Sequence, residues 1–480
     1  MLVSLTNRLS YINFISDFFT SNELIFSYRI QDVTFRKALF KMLTLDVDPI
    51  IPFMESFYSN TGRPALFQME ILRSFILRSH FGCFSIKKWV QTLKNDHLLA
   101  AICGFHPHHI PNFSSFYDFI NRFYFDDVHK GDYVLEPNHF STDNHKKPKH
   151  HQKLENYEPT DTASLYEKYK DNIDHAASLP EFAFLKFFDQ LAVNFSLKNN
   201  LINQNCTVAG DGSSLHTHSN PYGTKIDDDH RRYSDIDADI GWDSDLDQFY
   251  FGYTEYNISY INHDLNIDLP LFLTLQKASV HDALTSINAL AQFKSVNTSL
   301  SVAHYCLDSA SDNYPTHRLA YSLDIIPLID INKRRSGQNV YEPFSHISDN
   351  GRPVCQAGFE TISDGYDRKR CRHKFRCPFA QRKGDNPCSR KDQCSKSPYG
   401  RVFYIKSEDD IRLFGPIPYK SELWKKIYKD RSCTERINTR ILNDYGMKDC
   451  TMHGRKRNFF TLIMIGINIH LDAFNKINEI

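Results

Sequence analysis

The stretch that decides the reading is residues 206–215, CTVAGDGSSL. Cys206–Gly210 is a short apolar run with the composition of a buried strand, and Asp211 follows it directly, with Gly212 beyond. A carboxylate at the C-terminal end of a buried strand sits where α/β sheets place functional groups. A second run ends the same way: Ser301–Leu307 reads as a strand, and Asp308 follows it. A third acid, Glu435, falls in the helical pattern Ser421–Leu442, with Arg431 one turn before it and Tyr428 two turns before it. The spacing 428/431/435 puts all three on one helical face.

Two strand-end aspartates and one helical glutamate form a donor set of hard oxygens, suited to Mg²⁺ or Mn²⁺. A pair of such ions activates a nucleophile on one side of a phosphodiester and stabilises the leaving oxygen on the other. Any one of these acids alone reads as an ordinary cap or surface group. Their order and contexts together favour the metal site.

Working outward, the pattern from about residue 195 alternates strands and helices. Phe249–Ile261 and Pro270–Gln276 read as strands, Thr285–Phe293 as a helix and Ile325–Ile331 as a further strand. Residues 1–125 read as mostly helical, with apolar residues at helical spacing in Phe67–Leu77, Ile86–Leu99 and Ser114–Phe123. Residues 126–195 are polar, and HFSTDNHKKPKHH (139–151) reads as part of a linker or insertion rather than a metal site.

These motifs resemble the insertion-sequence DDE transposases. AGDGSSL around Asp211 looks like their first aspartate motif, and YCLDSASDN like the second, with Asp308 the match and Asp312 a trailing acid. YKDRSCTERINTRI is similar to their Tyr–Arg–Glu helix, matching Tyr428, Arg431 and Glu435. YSDIDADIGWDSDLDQFYFGY (233–253) resembles the segment after the first motif, and residues 62–96 with 111–123 resemble the helical N-terminal domain. Two positions depart: Leu442 stands where the signature has a basic residue, with Arg440 and Lys448 nearby, and Ala310-Ser311 stands where it has Gly-Tyr.

The resemblance implies an α/β, ribonuclease-H-like mixed sheet flanked by helices, over residues 196–480, behind an all-helical DNA-binding domain at 1–125. It implies cleavage at element ends that frees a 3′-OH, and attack of that hydroxyl on target DNA. Asp211, Asp308 and Glu435 would ligate the metal, with Arg431 and Tyr428 orienting the glutamate or contacting phosphate. The partners implied are double-stranded DNA, as terminal inverted repeats and target, and a second copy of the chain in a homodimer on DNA. The departures motivate an alternative, a non-catalytic DNA-binding protein of transposase descent, and a related nuclease without strand transfer is a third reading.

The 126 residues between Asp308 and Glu435 exceed what that connection needs, and most of the excess is a basic, cysteine-containing insertion at about 341–420. Within Arg368–Arg401, twelve Lys/Arg face two Asp, a local charge of +10. Arg368, Lys369, Arg370, Arg372, Lys374 and Arg376, with Arg440 beyond, are candidate phosphate contacts. Cys371, Cys377, Cys388 and Cys394 could close a structural Zn²⁺ site, with Cys355 and His373 as alternates, although C-x5-C-x10-C-x5-C is wider than the usual spacing. The nine aspartates of 227–247 read as a solvated loop, and Trp242 within it as a core residue, with stacking on a base the alternative.

The whole chain of 480 residues carries 57 Lys+Arg and 57 Asp+Glu. Zero net charge excludes a uniformly basic nucleic-acid coat but not a local basic patch. Eleven cysteines, an odd count, are too sparse for a disulfide scaffold. With no secretory signal read at the N-terminus and Phe459–Phe474 interrupted by Asn468, His470 and Asp472, the expectation is a cytoplasmic, nucleoid-associated protein with no membrane partner.

Overall fold

The computed structural model describes residues 5–125, 134–141, 161–332, 344–348, 350–379, 388–395, 397 and 400–478. The histidine-rich stretch falls largely outside them. The N-terminal part is helical, and includes α1 (Val33–Thr44), α2 (Gln68–His80), α3 (Ile86–Asn95), α4 (His97–Cys103) and α5 (Phe113–Arg122). The single helix expected over 86–99 is interrupted at Asp96, whose carboxylate accepts a hydrogen bond from the Leu99 amide at 2.9 Å and so starts α4. Every residue of α2 from Gln68 to Ser79 is buried, so this helix lies inside the molecule rather than on it.

The main sheet is built from β1 (Asn205–His216), β2 (Asp239–Asp243), β3 (Gln248–Asn262), β4 (Ile267–Lys277), β5 (Ser301–Leu307) and β6 (Ile326–Ile329). Strand β3 is long enough to pair with β1 along one edge, and with β2 and β4 in succession. Those pairings are antiparallel, whereas β1–β5 and β5–β6 are parallel. Each parallel step is bridged by a helix, α6 (Asp282–Val296) before β5 and α7 (Tyr314–Ser322) before β6, as a crossover requires. Strand β1 is longer than the apolar run suggests. It continues through Asp211, because β3 offers a full antiparallel partner, with Asp211 opposite Asn257. The parallel pairing of β1 with β5 stops at Ala209 opposite Cys306. Asp211 therefore lies within a strand but just past the point where the β5 neighbour ends.

After β6 the chain enters the insertion. Strands β7 (Ile362–Asp367), β8 (Arg372–Arg376) and β9 (Val402–Lys406) form an antiparallel sheet over a small core of Phe344, Phe375, Phe403, Ile405 and Phe414. The chain returns through α8 (Glu422–Tyr428), a tight turn at Lys429–Arg431, and α9 (Ser432–Thr439), then winds wider over Arg440–Asp444.

The last helix, α10 (Arg455–Ile477), packs between α2 and β4. Gly466 permits the approach, since a Cβ there would collide with Leu273 and Phe188. The polar residues that interrupt its apolar run are all engaged. Asn468 donates to the Ile76 carbonyl at 2.8 Å, His470 lies 2.7 Å from the Pro270 carbonyl, and Asp472 pairs with buried Lys41 at 2.8 Å. Among the described residues no helix is long and apolar enough to cross a membrane.

Candidate active site

Asp211, Asp308 and Glu435 line one cavity of about 600 Å³, together with Arg431. The three acids come from β1, the residue after β5, and α9. Asp308 caps the turn Ser309–Ser311 by accepting a hydrogen bond from the Ala310 amide at 3.2 Å, so Ala310-Ser311 forms the tight turn that holds it. Arg431 reaches both other acids, with Nη1 at 3.4 Å from Asp211 Oδ2 and Nη2 at 2.7 Å from Glu435 Oε1. Tyr428 does not enter the cavity wall. Its hydroxyl donates to the Leu307 carbonyl at 3.0 Å and its ring stacks on Trp424, with centroids 4.2 Å apart.

The electrostatics of the cavity are one-sided. Burial pushes the Asp211 carboxyl up to about 7, Arg431 opposes the shift, and Asp308 and Asp282 add to it. Asp282, at the start of α6, is also raised, by burial and then by Asp308. Glu255 on β3 is fully buried, and burial followed by Asp211 pushes it up to about 8, with Asn257 opposing the shift. This concentration of carboxyl groups, offset by a single arginine at the cavity wall, is an environment a divalent cation would neutralise. The donor set therefore fits Mg²⁺ or Mn²⁺ by charge and hardness. Among the described residues, however, no group of three His, Cys, Asp or Glu is drawn together closely enough to hold a metal ion as it stands.

Residues 26–122 match a transposase domain family (DUF772). The match supports a transposase-family protein. It covers the helical part of the chain and ends before Asp211, so it bears on lineage and not on the three acids. No curated protein matches the chain.

Several cavity residues were not singled out by sequence. Asp282 lies before the helix expected at Thr285–Phe293, and only the crossover brings it beside Asp308. Asp243 is buried, accepts a hydrogen bond from Ser214 at 2.6 Å and lies 2.7 Å from His216 Nε2. Outside the cavity lining, Asp235 accepts from the Tyr253 hydroxyl at 2.7 Å and the Gly454 amide at 2.9 Å. The aspartate-rich stretch is thus partly structural rather than simply solvated, because two of its acids satisfy buried donors. Trp242 is not a core residue: it is 53% exposed and lines the cavity, with its ring edge-on to Phe249.

The candidate phosphate contacts divide. Arg368, Lys369 and Arg370 are exposed on the β7–β8 turn. Lys374 lies 2.8 Å from Asp364, Arg376 3.7 Å from the same carboxylate, and Arg372 3.6 Å from Asp367. These two aspartates precede the basic run and reduce its local charge. Arg440 sits 3.7 Å from Asp472, toward the α10 network rather than the cavity.

The cysteines also divide. Cys377, Cys388 and Cys394 line a common cavity, but Cys371 occupies the exposed turn at the opposite end of β8. His373, a further candidate, is buried with Nε2 against the Phe414 and Gly415 carbonyls.

Proposed function

We propose that this chain is a DNA transposase of the DDE kind, carrying out divalent-metal-dependent phosphoryl transfer at the ends of a mobile element. The observation that carries the reading is convergence: three acids from distant segments, in the order Asp211, Asp308, Glu435, share one open cavity. The transposase-domain match in a separate part of the chain supports it independently. The sheet is in keeping with a ribonuclease-H-like domain, since an antiparallel set of four strands, β1–β4, is followed by two strands, β5 and β6, that join in parallel through helices.

Asp211, Asp308 and Glu435 would hold Mg²⁺ or Mn²⁺, which when bound supplies Lewis-acid activation of the nucleophile and stabilisation of the leaving oxygen. The chain's own residues do the rest. Arg431 holds Asp211 and Glu435 in mutual orientation and limits the proton affinity of Asp211. Tyr428 fixes the helix to the strand that ends at Asp308. Trp242 offers an exposed ring at the cavity mouth for stacking on a base. The helical N-terminal region would bind the element ends, and the exposed Arg368–Arg370 turn would contact phosphates.

The test is cleavage of DNA carrying the inverted repeats that flank the reading frame. Asp211→Ala, Asp308→Ala and Glu435→Ala should each abolish Mg²⁺-dependent nicking and leave DNA binding intact. Full cleavage by Glu435→Ala would overturn the assignment. One observation favours a second reading: Leu442, where the resemblance has a basic residue, lines the cavity itself. It removes a cation from the place where DNA phosphate would lie, as a non-catalytic descendant could tolerate. Salt-sensitive binding without cleavage of any end sequence identifies that case, and cleavage without joining identifies a nuclease.

A further inference from the structure

The insertion contains a second cluster with its own chemistry. Cys355, Cys377, Cys388 and Cys394 line one cavity of about 140 Å³, bordered by Arg390, Arg401 and Phe403. They reach it from three places. Cys355 opens a tight turn in which its carbonyl accepts from the Gly358 amide at 2.9 Å and its amide donates to the Phe359 carbonyl at 3.0 Å. Gly358 has φ 81°, so this turn needs a residue without a Cβ. Cys377 follows β8 directly, and its amide donates to the Arg401 carbonyl at 2.9 Å, just before β9. Cys388 and Cys394 flank and end a single short helical turn, Lys391–Cys394.

Cys371 is excluded by the strand. Five residues of β8 separate it from Cys377, a span of roughly 20 Å at about 3.3 Å per residue. Its own Sγ is 3.5 Å from the Arg368 carbonyl in the exposed turn.

We propose that Cys355, Cys377, Cys388 and Cys394 bind one structural Zn²⁺ as a tetrathiolate, in the spacing C-x21-C-x10-C-x5-C. Four sulfur donors select Zn²⁺ over the hard cations of the carboxylate cavity. Binding releases four thiol protons and leaves a centre of net charge −2, which Arg390 and Arg401 are placed to offset. The side chains face a common space without being closed around a centre. Metal binding would draw them in, joining the Cys355 turn to the segment between β8 and β9. Zinc ligation contributes folding energy directly, and here it would add to the small core of Phe344, Phe375, Phe403, Ile405 and Phe414.

The test is elemental analysis of the full chain purified under reducing conditions without added metal, followed by Co²⁺ exchange. One Zn per chain is expected, with thiolate-to-cobalt charge-transfer absorption after exchange. Cys355→Ser should lose the zinc, and Cys371→Ser should retain it. A Zn content near zero, or iron in its place, overturns the proposal. So does retention by Cys355→Ser with loss by Cys371→Ser. Should Cys355→Ser fail to fold, the cobalt spectrum of Cys371→Ser decides alone. An unchanged tetrathiolate signature supports the assignment, and its loss overturns it.

Discussion

Tyr428 donates its phenolic hydrogen to the Leu307 carbonyl at 3.0 Å, which ties the helix leading to Glu435 to the strand that ends at Asp308. Two metal-ligand candidates 127 positions apart (435 − 308) are thereby referenced to one hydrogen bond. Behind Tyr428, Trp424 stacks on its ring and Tyr419 packs edge-on to Trp424, while the Tyr419 hydroxyl donates to Asp330 at the end of β6. The insertion thus returns to the sheet through an aromatic ladder that sets the helix. Tyr428→Phe keeps the stacking and removes the hydrogen bond. It should cost about 1 kcal/mol of stability, read as a lowered urea midpoint, and should slow cleavage while DNA binding persists. An unchanged cleavage rate would show that the anchor is dispensable.

Arg431 is the cation shared by Asp211 and Glu435. Arg431→Gln should raise the proton affinity of Asp211 beyond its present value of about 7. The acid limb of the cleavage pH profile should then move to higher pH by about one unit, with Arg431→Lys intermediate. A profile that scales down without moving would assign Arg431 to DNA contact instead.

The raised Asp211 has a consequence for stability with a definite sign. Between its unfolded value of 3.8 and about 7, the folded chain holds a proton that the unfolded chain has lost. Stability of the metal-free protein should therefore fall as pH rises through that window. Glu255, pushed up to about 8, extends the fall in the same direction. Mg²⁺ would bind the deprotonated site, so its stabilisation should be larger at pH 8 than at pH 5, approaching about 2.7 kcal/mol at a hundredfold excess over Kd. Thermal melts of the parent and Asp211→Asn, with and without Mg²⁺, measure both effects. An identical Mg²⁺ response in Asp211→Asn would place the cation elsewhere.

Gly210 precedes the first acid, and any Cβ there would run into the Tyr256 and Tyr305 hydroxyls and Leu307. Those two hydroxyls are 3.1 Å apart and both buried, so neither can swing away freely. Gly210→Ala should cost about 1–3 kcal/mol, seen as a lower denaturation midpoint. A neutral result would mean that the two tyrosines relax more than their packing suggests.

Local pattern alone located much of the main sheet and the helix after it. The strand expected at 301–307 is the strand observed, and 249–261 and 270–276 fall inside β3 and β4. Apolar runs of strand length, bounded by turn residues, are decided by short-range sequence. Positions that depend on a distant partner were less legible. Asp211 was expected at a strand end but lies within β1, because the length of a strand follows its neighbour, and β3 pairs with it as far as His216. Trp242 was expected inside and stands outside, since an aromatic residue carries no mark of which face its strand buries.

The amino-acid order by itself determined which residue types could do chemistry here: three carboxylates in fixed order, a helical Tyr–Arg–Glu spacing, and cysteines in a basic insertion. Those are properties of covalent sequence and helical periodicity. The tertiary structure decided which of them meet. It added Asp282, Asp243 and Glu255 to the neighbourhood of the acids, turned Arg440 toward Asp472, and brought Cys355 rather than Cys371 to the cavity lined by the other three cysteines. The physical reason is common to all: a crossover or a hairpin returns the chain at a distance set by strand length, and no local pattern records that distance.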